Sequence, residues 1–194
     1  MRKLFFIVAL TLALPIISLA QEAPRVEVFG GYSYMRLEDI GIDGLDRDLN
    51  GYNVAGAITI FKKSLAIKAD VSGHFGNIAV PGISVDQNQT LFLFGPQYSL
   101  RKSSRIQPFA HALFGFARVK LDADAISGDI SDNGFAFALG GGVDIKALSS
   151  RLSLRLVQAD YVRTKLDFLG VGDSNSSNNV RISTGMVVRF GKIE

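Results

Sequence analysis

Polar and apolar side chains alternate with a period of two along most of this chain, the mark of strands with two different faces. In residues 65–72, Leu65, Ile67, Ala69 and Val71 form one face, and Ala66, Lys68, Asp70 and Ser72 the other. In 180–190 the split is Val180, Ile182, Thr184, Met186, Val188 and Phe190 against Arg181, Ser183, Gly185, Val187 and Arg189. In 133–146, Phe135, Phe137, Leu139, Val143 and Ile145 oppose Ala136, Ala138, Gly140, Gly142, Asp144 and Lys146. Read this way, the chain predicts eight strands, near 25–36, 50–61, 65–75, 88–100, 106–120, 133–146, 151–164 and 179–190.

The connections alternate too. Segments 37–49, 76–87, 121–132 and 165–178 are long and rich in Gly, Asp, Asn and Ser, whereas 62–64, 101–105 and 147–150 are short. An even number of strands of about ten residues, joined by short turns and long loops in alternation, predicts an all-β fold: an eight-stranded antiparallel transmembrane β-barrel of the outer-membrane type. Such a sheet must close, because an open edge would leave backbone groups unpaired in hydrocarbon.

The seventh strand breaks the rhythm. Leu152, Leu154 and Leu156 share a face, which would then place Gln158 and Asp160 among apolar side chains. One extra residue near Val157 returns both to the polar face and turns Tyr161 outward, so a β-bulge is expected there.

Residues 1–20 read as a secretory signal peptide ahead of a barrel spanning 21–194. A basic start (Arg2, Lys3) leads into an apolar stretch from Leu4 to Leu14, then Pro15, with small residues at Ser18 and Ala20 for cleavage after Ala20. The apolar stretch is short for a span of roughly 20 residues, and no cysteine stands there to carry a lipid.

Composition narrows the chemistry. The 194 residues are 47% hydrophobic and 20% charged, which excludes intrinsic disorder. With Cys 0 there is no disulfide, thiol nucleophile or zinc–sulfur site. Net charge is +3, and removal of Arg2 and Lys3 leaves +1, so nucleic acid is not an expected partner.

A soluble barrel would bury its apolar face. Here the bulky face carries charge only at strand ends, at Arg36, Arg118, Lys120 and Arg163, as a lipid-facing surface requires. Tyr32, Tyr34, Tyr52 and Tyr161 gather at the long-loop end, and Phe61, Tyr98 and Phe190 at the short-turn end. Two aromatic girdles are expected at the two membrane interfaces.

The leader, Val26-Glu27-Val28-Phe29-Gly30-Gly31-Tyr32-Ser33-Tyr34, Gly95-Pro96-Gln97-Tyr98, Arg155-Leu156-Val157-Gln158-Ala159-Asp160-Tyr161 and the final Gly185-Met186-Val187-Val188-Arg189-Phe190 carry a resemblance. Together they resemble the family of small outer-membrane β-barrel proteins, the OmpA-type and OmpX-type eight-stranded barrels. The resemblance covers the mature chain and implies an outer-membrane location. It also implies recognition of the final aromatic residue by the barrel-insertion machinery. Four residues follow Phe190, a departure from the pattern. The peptidoglycan-binding domain of the OmpA type is not expected here.

The lumen face collects Glu27, Lys68, Asp70, Asp144, Lys146, Arg155, Asp160, Arg181 and Arg189. An eight-stranded barrel is just wide enough for its own side chains, and buried charges must pair. A salt-bridge plug is therefore expected, centred on Arg155, Asp160 and Glu27, rather than a conduction path. An enzyme would need a nucleophile beside an oriented base. Ser72 lies two residues from His74 on one face and could form such a pair, and His111 is the other histidine. Asp46-Arg47-Asp48-Leu49-Asn50-Gly51 opens like a calcium loop, but Ala57 stands where its final Glu belongs. Gly140-Gly141-Gly142 falls mid-strand, where glycine permits close packing.

The expectation is thus a monomeric outer-membrane barrel without a large pore, catalytic site, metal or cofactor, both termini periplasmic. Its role would be structural or surface-interaction (adhesion or binding) through four long outer loops, among outer-membrane lipids, with the acidic loops as the place for an extracellular ligand. The alternatives are a lipid-modifying enzyme and a small ion channel on the same barrel.

Overall fold

The computed structural model describes residues 26–37, 48–61, 64–80, 83–100, 105–123, 130–149, 151–166 and 175–191. The expected leader lies outside them, as do most residues of the long loops. Eight strands follow one another: β1 (Val26–Arg36), β2 (Asp48–Phe61), β3 (Leu65–Val80), β4 (Ile83–Ser99), β5 (Ile106–Ala123), β6 (Ile130–Ser149), β7 (Leu152–Leu166) and β8 (Asn175–Phe190). Each pairs antiparallel with the next, and β1 pairs with β8 from Val26↔Phe190 to Arg36↔Val180, closing the barrel.

Polarity is inverted relative to a soluble protein. Val28, Ile58, Ile67, Phe94, Phe116, Leu139, Leu156, Ile182 and Met186 are exposed on the outer wall, while Lys68, Asp70, Arg155, Asp160 and Arg181 are buried inside. Lipid is the solvent in which this arrangement is favourable, since it covers apolar side chains and leaves charges to pair within. Tyr32 and Tyr52 face each other across β1 and β2, with Tyr34 and Tyr161 on the same long-loop half. Phe61, Tyr98 and Phe190 stand at the short-turn end.

The bulge in β7 is present. Register shifts between Arg155 and Gln158 against β8, so Leu156 and Val157 are both exposed while Gln158 and Asp160 are buried.

Several strands run further than the alternation indicated. Segment 76–87, expected as a loop, is mostly a hairpin: β3 and β4 stay paired up to Val80↔Ile83. β5 extends to Ala123 and β6 starts at Ile130. Gly, Asn and Asp in these segments read as loop by composition. Beyond the membrane, though, a hairpin needs only its ladder of backbone hydrogen bonds and no apolar outer face.

Candidate functional site in the barrel lumen

Alternate positions of β1, β3, β6, β7 and β8 bring the ionisable side chains together inside the wall. Arg181 on β8 lies at the centre. Its Nη1 donates to Asp70 Oδ1 at 2.8 Å and to Ser72 Oγ at 2.8 Å. Its Nη2 and Nε donate to Asp160 Oδ2 at 2.6 and 2.9 Å. Asp160 also accepts from His111 Nε2 at 2.8 Å and from Gln158 Nε2 at 2.7 Å. Asp70 accepts from Asn53 Nδ2 at 3.0 Å, and Lys68 Nζ stands 3.1 Å from its second oxygen.

A second knot lies toward the short turns. Arg155 forks onto Asp144, through Nε at 2.8 Å and Nη2 at 3.3 Å, a charge-assisted bidentate pair. Arg189 donates to Glu27 Oε1 at 2.5 Å, to Asp144 Oδ2 at 3.0 Å and to Ser153. Gln158 joins the knots, accepting from Arg155 Nη1 at 2.7 Å while donating to Asp160. The Arg155 guanidinium is held between the rings of Phe29 and Phe109, 4.4 and 4.1 Å from their centroids, a cation–π sandwich away from water. Four cations (Lys68, Arg155, Arg181, Arg189) thus face four carboxylates (Glu27, Asp70, Asp144, Asp160), and the cluster is electrically balanced.

The structure departs from the sequence reading in three places. The network centres on Arg181, not on Arg155, Asp160 and Glu27. Arg155 touches Asp160 only through Gln158, and Glu27 sits at the far end with Arg189. The reason is reach: a guanidinium on β8 can span the lumen to β3, which strand adjacency along the sequence does not show. Lys146 is half-buried beside the short turns, outside the described chain of ion pairs. Ser72 is held by Arg181, so it does not pair with His74. His74 Nε2 instead lies 2.9 Å from Ser33 Oγ, itself 2.9 Å from Ser183 Oγ.

That Ser33–His74 contact has the distance of a nucleophile and base but not their setting. Both residues are fully buried, and no group among the described residues bonds His74 Nδ1 to orient the ring. Asp48, Leu49, Asn50 and Gly51 of the calcium-like segment belong to β2, and Asn50 accepts from Tyr32; Asp46 and Arg47 lie outside the described residues. The mid-strand glycines serve packing: a Cβ on Gly140 would run into the Asp160 carboxylate, and one on Gly142 into the Phe109 ring.

Above the charges lies an apolar layer that the period-two reading missed. Met35, Leu49, Leu91, Leu93, Leu113, Ala136, Ala138 and Val162 form one buried cluster. Order along the strands places it toward the long loops: Glu27 precedes Met35 on β1, Asp160 precedes Val162 on β7, and Asp144 follows Ala138 on β6. The signal was legible on β5, where Leu113 and Ala117 alternate with the equally apolar Phe114 and Phe116.

A closed eight-stranded barrel, apolar outside and charged within, defines the class of small transmembrane outer-membrane barrels. The family model for the outer membrane protein beta-barrel domain matches residues 6–190, and the chain belongs to that family. Among solved structures it is similar to Ail, the attachment invasion locus protein of Yersinia pestis, with a TM-score of 0.60 and 15% identity over 87% of this chain and 99% of that one. The same protein in complex with the heparin analogue sucrose octasulfate matches with a TM-score of 0.59 and 15% identity, covering 87% and 99%. Neisserial surface protein A matches with a TM-score of 0.57 and 15% identity, covering 86% and 96%. At these identities the likeness is one of fold. No curated protein sequence matches the chain.

Proposed function

We propose that this protein is a non-enzymatic surface-interaction barrel, its lumen shut by the Arg181-centred network and its contacts made by the long-loop end. The observation that carries this reading is the uneven rim. The described pairs of β2 with β3 reach Asn50↔Phe75, with Gly76 still beside Asp48 and Leu49, whereas β3 and β4 stay paired up to Val80↔Ile83. The described pairs of β6 with β7 begin at Phe135↔Lys165, near the end of the described part of β7, whereas β5 and β6 stay paired up to Leu121↔Ile130. Strands β3 to β6 therefore carry paired backbone past the last described pairs of β2 and β7, and this long-loop end supplies the contact surface. The acidic character of the loops favours a neutral or basic partner over a polyanion.

The filled interior supports the same reading. The recess lined by Glu27, Phe29, Lys68, Gln97 and Arg155 is large enough for about one water molecule. In this reading the chain is a monomer exported by its leader, inserted by the barrel-insertion machinery, with both termini in the periplasm.

Replacing residues 77–85 by a tight turn tests it. Binding of intact cells to immobilised basic and neutral proteins should fall to the level of cells lacking the barrel, while the heat-dependent gel shift of the folded barrel persists. Unchanged binding, or lipid hydrolysis or steady ion current by the purified barrel, would overturn the reading. Tags near Asp43, Gly82, Gly128 and Ser176 should be reachable on intact cells, and one after Glu194 should not.

A further inference from the structure

Six phenylalanines on the lipid-facing wall fall into two parallel rows. One row runs Phe92↔Phe116↔Phe135 across β4, β5 and β6, and ends on β7 at Lys165. The next runs Phe94↔Phe114↔Phe137 and ends at Arg163. Phe92 and Phe116 stack at 4.9 Å between centroids, and Phe94 and Phe114 meet edge to face at 4.6 Å. Strands of such barrels tilt by about 35–45°, so a row drawn across them slants through the membrane. Lys165 lies at the penultimate position of β7, whereas Phe92 lies well inside β4. Each row therefore climbs from hydrocarbon toward the long-loop interface and terminates in a cation.

Two of the cations share a neighbour on β8. Arg163 Nη2 lies 3.4 Å from Ser176 Oγ, and Ser176 is the cross-strand partner of Lys165. Arg118 and Lys120 continue the outward face of β5 directly beyond Phe116. The cross-strand partners of these four residues are Thr90, Asn133, Asn88, Ser131, Phe137, Asn178, Phe135 and Ser176, none of them acidic. Arg36, the remaining outward cation at this level, stands opposite Asp48 instead.

We propose that this face is a binding site for a phosphate-bearing lipid of the surrounding leaflet, its headgroup held by Arg163 and Lys165 with Arg118 alongside, its acyl chains lying along the two phenylalanine rows. Charge complementarity selects the phosphate, since cations next to a membrane surface attract anionic headgroups. Continuity of each cation with an aromatic row selects the lipid over a free ion. The carboxylates next along these faces lie further toward the loops: Asp86 is three alternate positions beyond Phe92 on β4, and its partner Asp122 is two positions beyond Lys120 and four beyond Arg118 on β5.

Native mass spectrometry of the purified barrel with phosphatidic acid, diacylglycerol or inorganic phosphate tests the site. Phosphatidic acid should be retained, and Arg163→Gln/Lys165→Gln should lower its retention on the order of tenfold. Phe116→Ala/Phe135→Ala should weaken it too, while Arg36→Gln leaves it unchanged. All variants should keep the heat-dependent gel shift that reports a folded barrel. Equal retention by the Arg163→Gln/Lys165→Gln variant would overturn the proposal. So would equal retention of diacylglycerol, which means chain contact alone, or equal occupancy by inorganic phosphate, which means an ion site without a lipid.

Discussion

The two halves of the lumen do the same task by opposite chemistry. Toward the short turns, charged side chains fill the space and are held by partners on other strands. Toward the long loops, Met35, Leu49, Leu91, Leu113 and Val162 form an apolar cluster, with uncharged Gln89, Thr164 and Asn179 buried beyond it along their strands. A packed apolar layer tolerates the loss of one member as a cavity. A buried charge network does not, because each remaining ion keeps its desolvation cost after its partner has gone. The charged half is therefore the more fragile and the more cooperative of the two, and the apolar half the better barrier to water.

The comparison is broken most directly at Arg181. Arg181→Met leaves Asp70 and Asp160 buried without their shared cation and should lower barrel stability by about 3–5 kcal/mol, read from the urea midpoint in detergent. Adding Asp160→Asn, which restores the charge balance and leaves Lys68 paired with Asp70, should recover part of that loss; a double variant as unstable as the sum of its parts would mean the charges act independently. Leu113→Ala in the apolar half should cost about 2–4 kcal/mol through the cavity it leaves. Planar-bilayer recordings then separate the halves further. Arg181→Met should keep baseline conductance behind the intact apolar layer, and Leu49→Ala/Leu113→Ala should raise it; the reverse pattern would make the charges the barrier. Gly140→Ala, which pushes a methyl group at the Asp160 carboxylate and the Ala159 carbonyl oxygen, should cost about 1–3 kcal/mol. The smallest effect belongs to the outer wall: Tyr161→Phe removes an exposed hydrogen bond to Asn178 and should shift the midpoint by under about 1 kcal/mol.

Particular residues show how far the chain can be read unaided. Gln158 and Asp160 pointed to the bulge over an early end of the strand, because a one-residue slip keeps two polar side chains out of lipid. Segment 76–87 misled, since composition distinguishes hydrated from lipid-facing backbone but not loop from a strand that rises into water. Ser72 and His74 share a face, yet sharing a face in a narrow barrel leaves open which neighbour reaches each side chain first.

Alternation by itself determined the number of strands, which side chains face lipid and which face the lumen, and hence that the ionisable groups would be enclosed. It could do so because the side-chain period of a strand is strictly two and one face must meet hydrocarbon. Only closure of the ring decided who pairs with whom. Arg181 and Asp70 are 111 positions apart and sit on strands that are not neighbours; they meet because a barrel of this width lets a long side chain cross its interior. The same closure set Lys165 at the end of a phenylalanine row, a relation among four strands that register, not sequence spacing, creates.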